Sequence, residues 1–173
     1  MTTSKSTQAE VIDSLVWAGK EIMASALYAE VMRVRAFIPR ERGLQEADEL
    51  LGLIGHYLDG EIPCEECIKK QSAMEGRLFA APITINHDEQ AIKAFQRACV
   101  YLPLTTYRAT AEYPALVLRE LNEFHGLWTP GIDLEQVREG QLERLKAADE
   151  VASRRMLLLS IPELRDRISL LAN

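Results

Sequence analysis

Apolar residues recur along this chain at steps of three and four, and almost nowhere do they alternate one in two. That period is the signature of helices with one buried face, so the pattern predicts an all-α fold. Thr7-Gln8-Ala9-Glu10 has the form of a capping box, and helical spacing then runs without proline as far as Phe37. A helix of that length spans about 45 Å at ~1.5 Å rise per residue. Pro39 ends it.

A second helix carries Leu44, Ala47, Leu51, Ile54 and Leu58 as a one-sided stripe before Gly60, and a third, short and mostly polar, runs from Pro63 to about Gly76. Phe79 to Asn86 reads as an extended connection, since no other segment offers a strand to pair with it. Asn86, with Glu89 three residues on, caps a fourth helix that ends at Pro103. Another begins near Thr110, accepts Pro114 in its first turn and stops at Gly126. Trp128-Thr129-Pro130-Gly131 forms a turn, Asp133 caps a helix from Leu134 to Leu159 supported by the pair Glu150 and Arg154, and Ser160-Ile161-Pro162-Glu163 restarts a short terminal one. The expected architecture is a single-domain bundle of about six or seven helices with short turns over residues 1–173, with residues 1–6 disordered.

The first helix carries more apolar surface than one face holds. Ile12, Leu15, Val16, Gly19, Met23, Ala26, Leu27, Val34 and Phe37 collect on a core side, yet Trp17, Tyr28 and Met32 fall opposite, among Glu10, Glu21 and Arg35. Two arrangements absorb this: a helix through the middle of the bundle, covered on both sides, or a contact surface for a partner or a second copy, with Trp17, Tyr28 and Met32 as anchors and Glu21 and Arg35 as rim. Glu30 falls inside the core stripe, and Arg33 one turn on is the expected ion-pair partner.

Charge narrows the partners. Lys and Arg number 20 against 26 Asp and Glu, for a formal charge of −6, and the first 75 residues hold thirteen acids and eight bases. Generic phosphate-backbone binding is disfavoured, although Arg33, Arg35, Arg40 and Arg42 concentrate around Pro39. The apolar runs are too short for a membrane span, and three cysteines without a leading apolar segment fit a cytoplasmic protein.

Candidate chemistry is confined to Cys64-Glu65-Glu66-Cys67. A spacing of three puts both thiols on one side of a helical turn, where they can share a metal or oxidise together. Glu61, Glu65 and Glu66 surround them with negative charge, which opposes the thiolate a reactive pair requires. Zinc needs four ligands, and the workable set is Cys64, Cys67 and Cys99 with His87 or His56. His56 and His125 are placed near helix C-termini, which accounts for both, and Glu120, Glu123 and His125 lack the spacing of a di-iron site. No phosphate loop, zinc-protease motif or nucleophile elbow occurs. The resulting expectation is a non-enzymatic protein–protein interaction module, an adaptor, inhibitor or subunit of a larger assembly, docking through the aromatic face of its first helix. It has no cofactor. The alternative is a structural zinc-binding helical domain built on Cys64, Cys67 and Cys99.

Overall fold

The computed structural model describes residues 7–108, 110–155, 166 and 168–170. Among these the chain is helical, with eight α-helices and no strand: α1 (Gln8–Ala18), α2 (Lys20–Arg35), α3 (Gln45–Leu58), α4 (Cys64–Ala80), α5 (His87–Tyr101), α6 (Leu104–Tyr107), α7 (Glu112–Trp128) and α8 (Leu134–Arg155), with a 3₁₀ turn at Arg40–Arg42. None of them is long and apolar enough to cross a membrane. Residues 1–6, the Arg154 side chain, Met156 to Leu159 and the 160–163 capping box lie outside the described residues.

The single opening helix expected from the spacing is two helices. Gly19 breaks it, with φ 145° and ψ 150°, a backbone state that side-chain-bearing residues rarely adopt. Its amide donates to the carbonyls of Leu15 and Val16 and closes α1, while its own carbonyl accepts from the Met23 amide at 3.0 Å and opens α2. One residue therefore both terminates and starts a helix. At the front of α1 the capping box forms as expected, with Thr7 Oγ1 accepting from the Glu10 amide and Glu10 Oε2 accepting from the Thr7 amide at 2.8 Å.

Behind the break, α2 occupies the middle of the molecule and packs on α1, α3, α5, α6, α7 and α8. Ten of its sixteen residues are buried, including Ile22, Met23, Leu27, Val31 and Val34. The surplus of apolar positions is thus largely absorbed by encirclement, as a helix apolar on most sides requires. Phe37, expected on the core side, lies beyond the end of α2 and is half exposed, because the chain has already turned there toward Pro39.

Local signals held well elsewhere. The α3 stripe of Leu44, Ala47, Leu51, Ile54 and Leu58 is buried throughout. Asn86 Oδ1 accepts from the Glu89 amide at 3.1 Å, and Asp133 Oδ1 accepts from the amides of Glu135 and Gln136. Two differences concern where helices stop, and a third is an added helix. α4 continues past Gly76 to Ala80, α7 continues past Gly126 to Trp128, and α6 is a four-residue helix absent from the sequence pattern. Gly126 lies inside α7, with the Leu134 side chain beside it. Thr105 and Thr106 of α6 are buried because their hydroxyls donate, each at 2.6 Å, to the carbonyls of Leu102 and Pro103.

The most extensive helix pair is α5 with α7, where the buried rings of Phe95 and Phe124 meet edge to face at 6.5 Å. Trp128 stacks on Phe124 at 5.4 Å, and His125 sits edge-on to both Phe124 and Phe37. Buried residues from α1 to α5, α7 and α8, with Ile168, join in one contiguous apolar cluster.

Candidate functional site

The break at Gly19 redistributes the five proposed contact residues. Trp17 stays on α1 and is 91% exposed. Tyr28 is half buried against the core, while Met32 is exposed beside it; with Ala29, Arg33, Ala36 and Phe37 they line a concavity of about 380 Å³ on the outer side of α2, next to Ser169. Arg35 is committed elsewhere: its guanidinium donates to both carboxylate oxygens of Asp48 on α3, at 2.6 and 3.0 Å, and to the Ile38 carbonyl at 2.8 Å. That pairing holds the Arg35 guanidinium even more firmly protonated than usual. Glu21 faces another way, accepting a hydrogen bond from the Tyr57 hydroxyl at 3.2 Å. Trp17 and the Tyr28–Met32 pair therefore remain as outward apolar features, with Arg35 and its partner Asp48 bordering the same cavity as Met32 and Glu21 turned toward Tyr57.

Glu30 is buried, as its place in the stripe requires, but its partner is not Arg33. Arg144 of α8 grips both carboxylate oxygens, at 2.6 and 3.0 Å, across 114 positions of sequence. Glu120 is likewise buried and tied to Arg97 of α5 at 2.9 Å, with Arg119 at 3.4 Å, and Arg97 also reaches Glu123 at 3.5 Å. The carboxylates that looked chemically suggestive are thus satisfied ion pairs. His125, expected to gain from its helix end, is held below its ordinary value, first by burial and then by Arg33 and Arg144. In the basic corner, Arg42 pairs with Asp88 at 3.1 Å and lies over the Trp128 ring at 5.8 Å.

The three thiols occupy different environments. Cys99 is fully buried, and loss of solvent, with Asp48 nearby, drives its thiol well above the ordinary range. Cys67 is buried too, and its thiol is pushed up to about 11, first by desolvation and then by Cys64 and Glu66. Glu66 thus acts on Cys67 in the expected direction, but burial is the larger cause. His87 begins α5 at the surface, and the exposed His56 pairs through Nδ1 with the Glu61 carboxylate. Among the described residues, no group of three or more His, Cys, Asp or Glu side chains is arranged to hold a metal ion.

Cys64 differs from both. It is the first residue of α4, half buried, and its sulfur lies 2.9 Å from Thr106 Oγ1. Because the Thr106 hydroxyl proton is already given to the Pro103 carbonyl, the thiol is the donor in that contact. Both residues face a cleft of about 510 Å³ lined by Lys20 and Glu21 of α2, Tyr57 of α3, Glu65, Ile68 and Lys69 of α4, and Tyr107 of α6. Burial, then the Glu21 carboxylate, raises the Tyr57 phenol, so it stays a donor at every ordinary pH. Sequence reasoning found Cys64 with its neighbour Glu65, gave Glu21 to a different surface and missed the remaining walls of this cleft. They come from four helices with no shared motif, and the one local hint was hydroxyl and aromatic residues crowded behind Pro103.

Comparisons of the chain with protein-family models, with curated proteins and with solved structures returned no match.

Proposed function

We propose that the chain is a non-enzymatic protein–protein interaction module, an adaptor, inhibitor or subunit of a larger assembly, whose contact surface lies on the outer side of α1 and α2. The observation that carries this reading is Trp17, 91% exposed on a helix whose Val11, Ile12 and Leu15 are buried. A tryptophan in that position adds nothing to its own core and offers a large, stiff apolar side chain to another surface. The partner is a protein, another chain or a second copy of this one. It covers Trp17 and places an apolar side chain in the concavity between Tyr28, Met32 and Phe37.

The formal charge of −6 keeps nucleic acid a poor candidate. Three free thiols, two of them buried, suit a reducing compartment such as the cytoplasm. The test compares the native chain with Trp17→Ala in affinity capture, followed by titration of the purified partner and by thermal melting. The expected result is a loss of about 2 kcal/mol or more of binding free energy, as for an interfacial hot spot. Stability should change by no more than about 0.5 kcal/mol, as for an exposed surface position. Unchanged partner affinity in the variant would remove Trp17 from the contact.

A further inference from the structure

The cleft between α2, α3, α4 and α6 is separate from that surface, and its contents are chemical. One thiol, Cys64, faces it, and a second, Cys67, lies one helical turn behind in the core. We propose that this cleft is a thiol–disulfide exchange site, in which Cys64 attacks a low-molecular-weight organic disulfide and Cys67 resolves the adduct.

Four observations carry it. The thiols are unequal in access: Cys64 is half buried and borders the cleft, Cys67 is 1% exposed and Cys99 is sealed in the core. An attacking sulfur must meet its substrate, whereas a resolving one needs only to reach its neighbour. The cleft, at about 510 Å³, is within the size range of small-ligand sites. Its lining lysines, Lys20 and Lys69, are offset by Glu21 and Glu65, so no single charge sign bars entry. Finally, Cys64 is the first residue of α4, preceded by Pro63 in extended conformation. Helical neighbours three apart hold their Cβ atoms at about 5–6 Å, and a disulfide needs about 3.5–4.5 Å. A first-turn residue closes that gap without disrupting a helix on both sides of it.

The reaction balances in two exchanges. Cys64 sulfur attacks one sulfur of RS–SR, a Cys64–SR bond forms as the S–S bond breaks, and the thiol proton ends on the released RSH. Cys67 sulfur then attacks Cys64 sulfur, forming the Cys64–Cys67 disulfide and releasing the second RSH with the second proton. The protein dithiol loses two electrons and the organic disulfide gains them. Because the Cys67 thiol is pushed up to about 11, the second exchange draws on only a small thiolate fraction at neutral pH. Its rate should rise roughly tenfold per pH unit below that value, following the thiolate fraction.

The test uses the full reduced chain, bis(2-hydroxyethyl) disulfide as probe and intact-protein mass spectrometry with peptide mapping. The native chain should lose two hydrogens and release two mercaptoethanol molecules, with the new link between Cys64 and Cys67. Cys67→Ala should stop at a single mercaptoethanol adduct on Cys64, and Cys64→Ser should form neither product. Circular dichroism of each variant verifies folding, and Cys67→Ser serves as the second variant if the alanine substitution perturbs the core. A stable Cys64 adduct in the native chain that Cys67 never displaces would overturn the proposal, as would an adduct appearing first on Cys99.

Discussion

The α7 side of the molecule and the cleft that Cys64 lines treat polar side chains in contrary ways. Around α7 the rings of Phe95, Phe124, His125 and Trp128 close on one another, and buried Glu120 is held by arginines. Glu30, on the neighbouring α2, is gripped at both oxygens by Arg144. In the cleft, a thiol, two phenols, two ammonium groups and two carboxylates border open space. The contrast separates polar groups that complete a core from polar groups left available to a visitor. Burial with pairing of the charged groups stabilises and rigidifies, whereas half-burial beside a cavity leaves chemistry accessible.

If the α7 side is the stabilising region, its perturbation should dominate. Phe124→Ala empties the centre of the ring cluster and should cost about 3–5 kcal/mol of unfolding free energy, read by urea denaturation. Arg144→Met strands the Glu30 carboxylate in the core and should cost about 3 kcal/mol. Adding Glu30→Met to the same chain should restore most of that loss, because the expense lies in the unpaired charge and not in the missing pair. A double variant as unstable as Arg144→Met alone would show that the pair itself supplies the stability.

The cleft should behave oppositely. Tyr57→Phe removes one partly buried hydrogen bond to Glu21, so stability should fall by only about 1 kcal/mol, measured in the same denaturation series. A loss as large as that of Phe124→Ala would make the cleft part of the core and erase the contrast. The smallest effect belongs to pH. The unfolded chain binds a proton at His125 as pH falls through about 6.5, while the folded chain resists it because burial, Arg33 and Arg144 hold that imidazole below its ordinary value. Stability from this residue is therefore complete above that pH and is lost as pH falls through the window just beneath it. Melting temperatures of the native chain and of His125→Phe, compared from pH 7.5 to 5 in about half-unit steps, should diverge in that direction.

Features that depend on a few adjacent residues were legible from the start. The Thr7 box, the Asn86 and Asp133 caps and the α3 stripe form as expected, because each is decided within one helical turn or along one face. The break at Gly19 was not, since a glycine fits a helical pattern and its left-handed freedom is used only when packing demands a turn. Arg33 was the natural partner for Glu30 by spacing, yet a residue 114 positions away had the better geometry. The cleft was illegible for the same reason: Lys20, Tyr57, Cys64 and Thr106 are far apart in the chain and meet only when α2, α3, α4 and α6 pack.

By itself, then, the order of residues determined that this chain is helical, where most helices begin and which face of each is apolar. Those properties follow from backbone hydrogen bonding and a period of about 3.6 residues, both local in origin. Tertiary structure alone decided that the opening segment bends at Gly19, that α2 is encircled while Trp17 faces outward, which arginine neutralises Glu30, and that Cys64 opens on a cavity while Cys67 and Cys99 do not. Burial and long-range pairing depend on which surfaces compete for the same neighbours, and that competition is settled only when all the helices are in place.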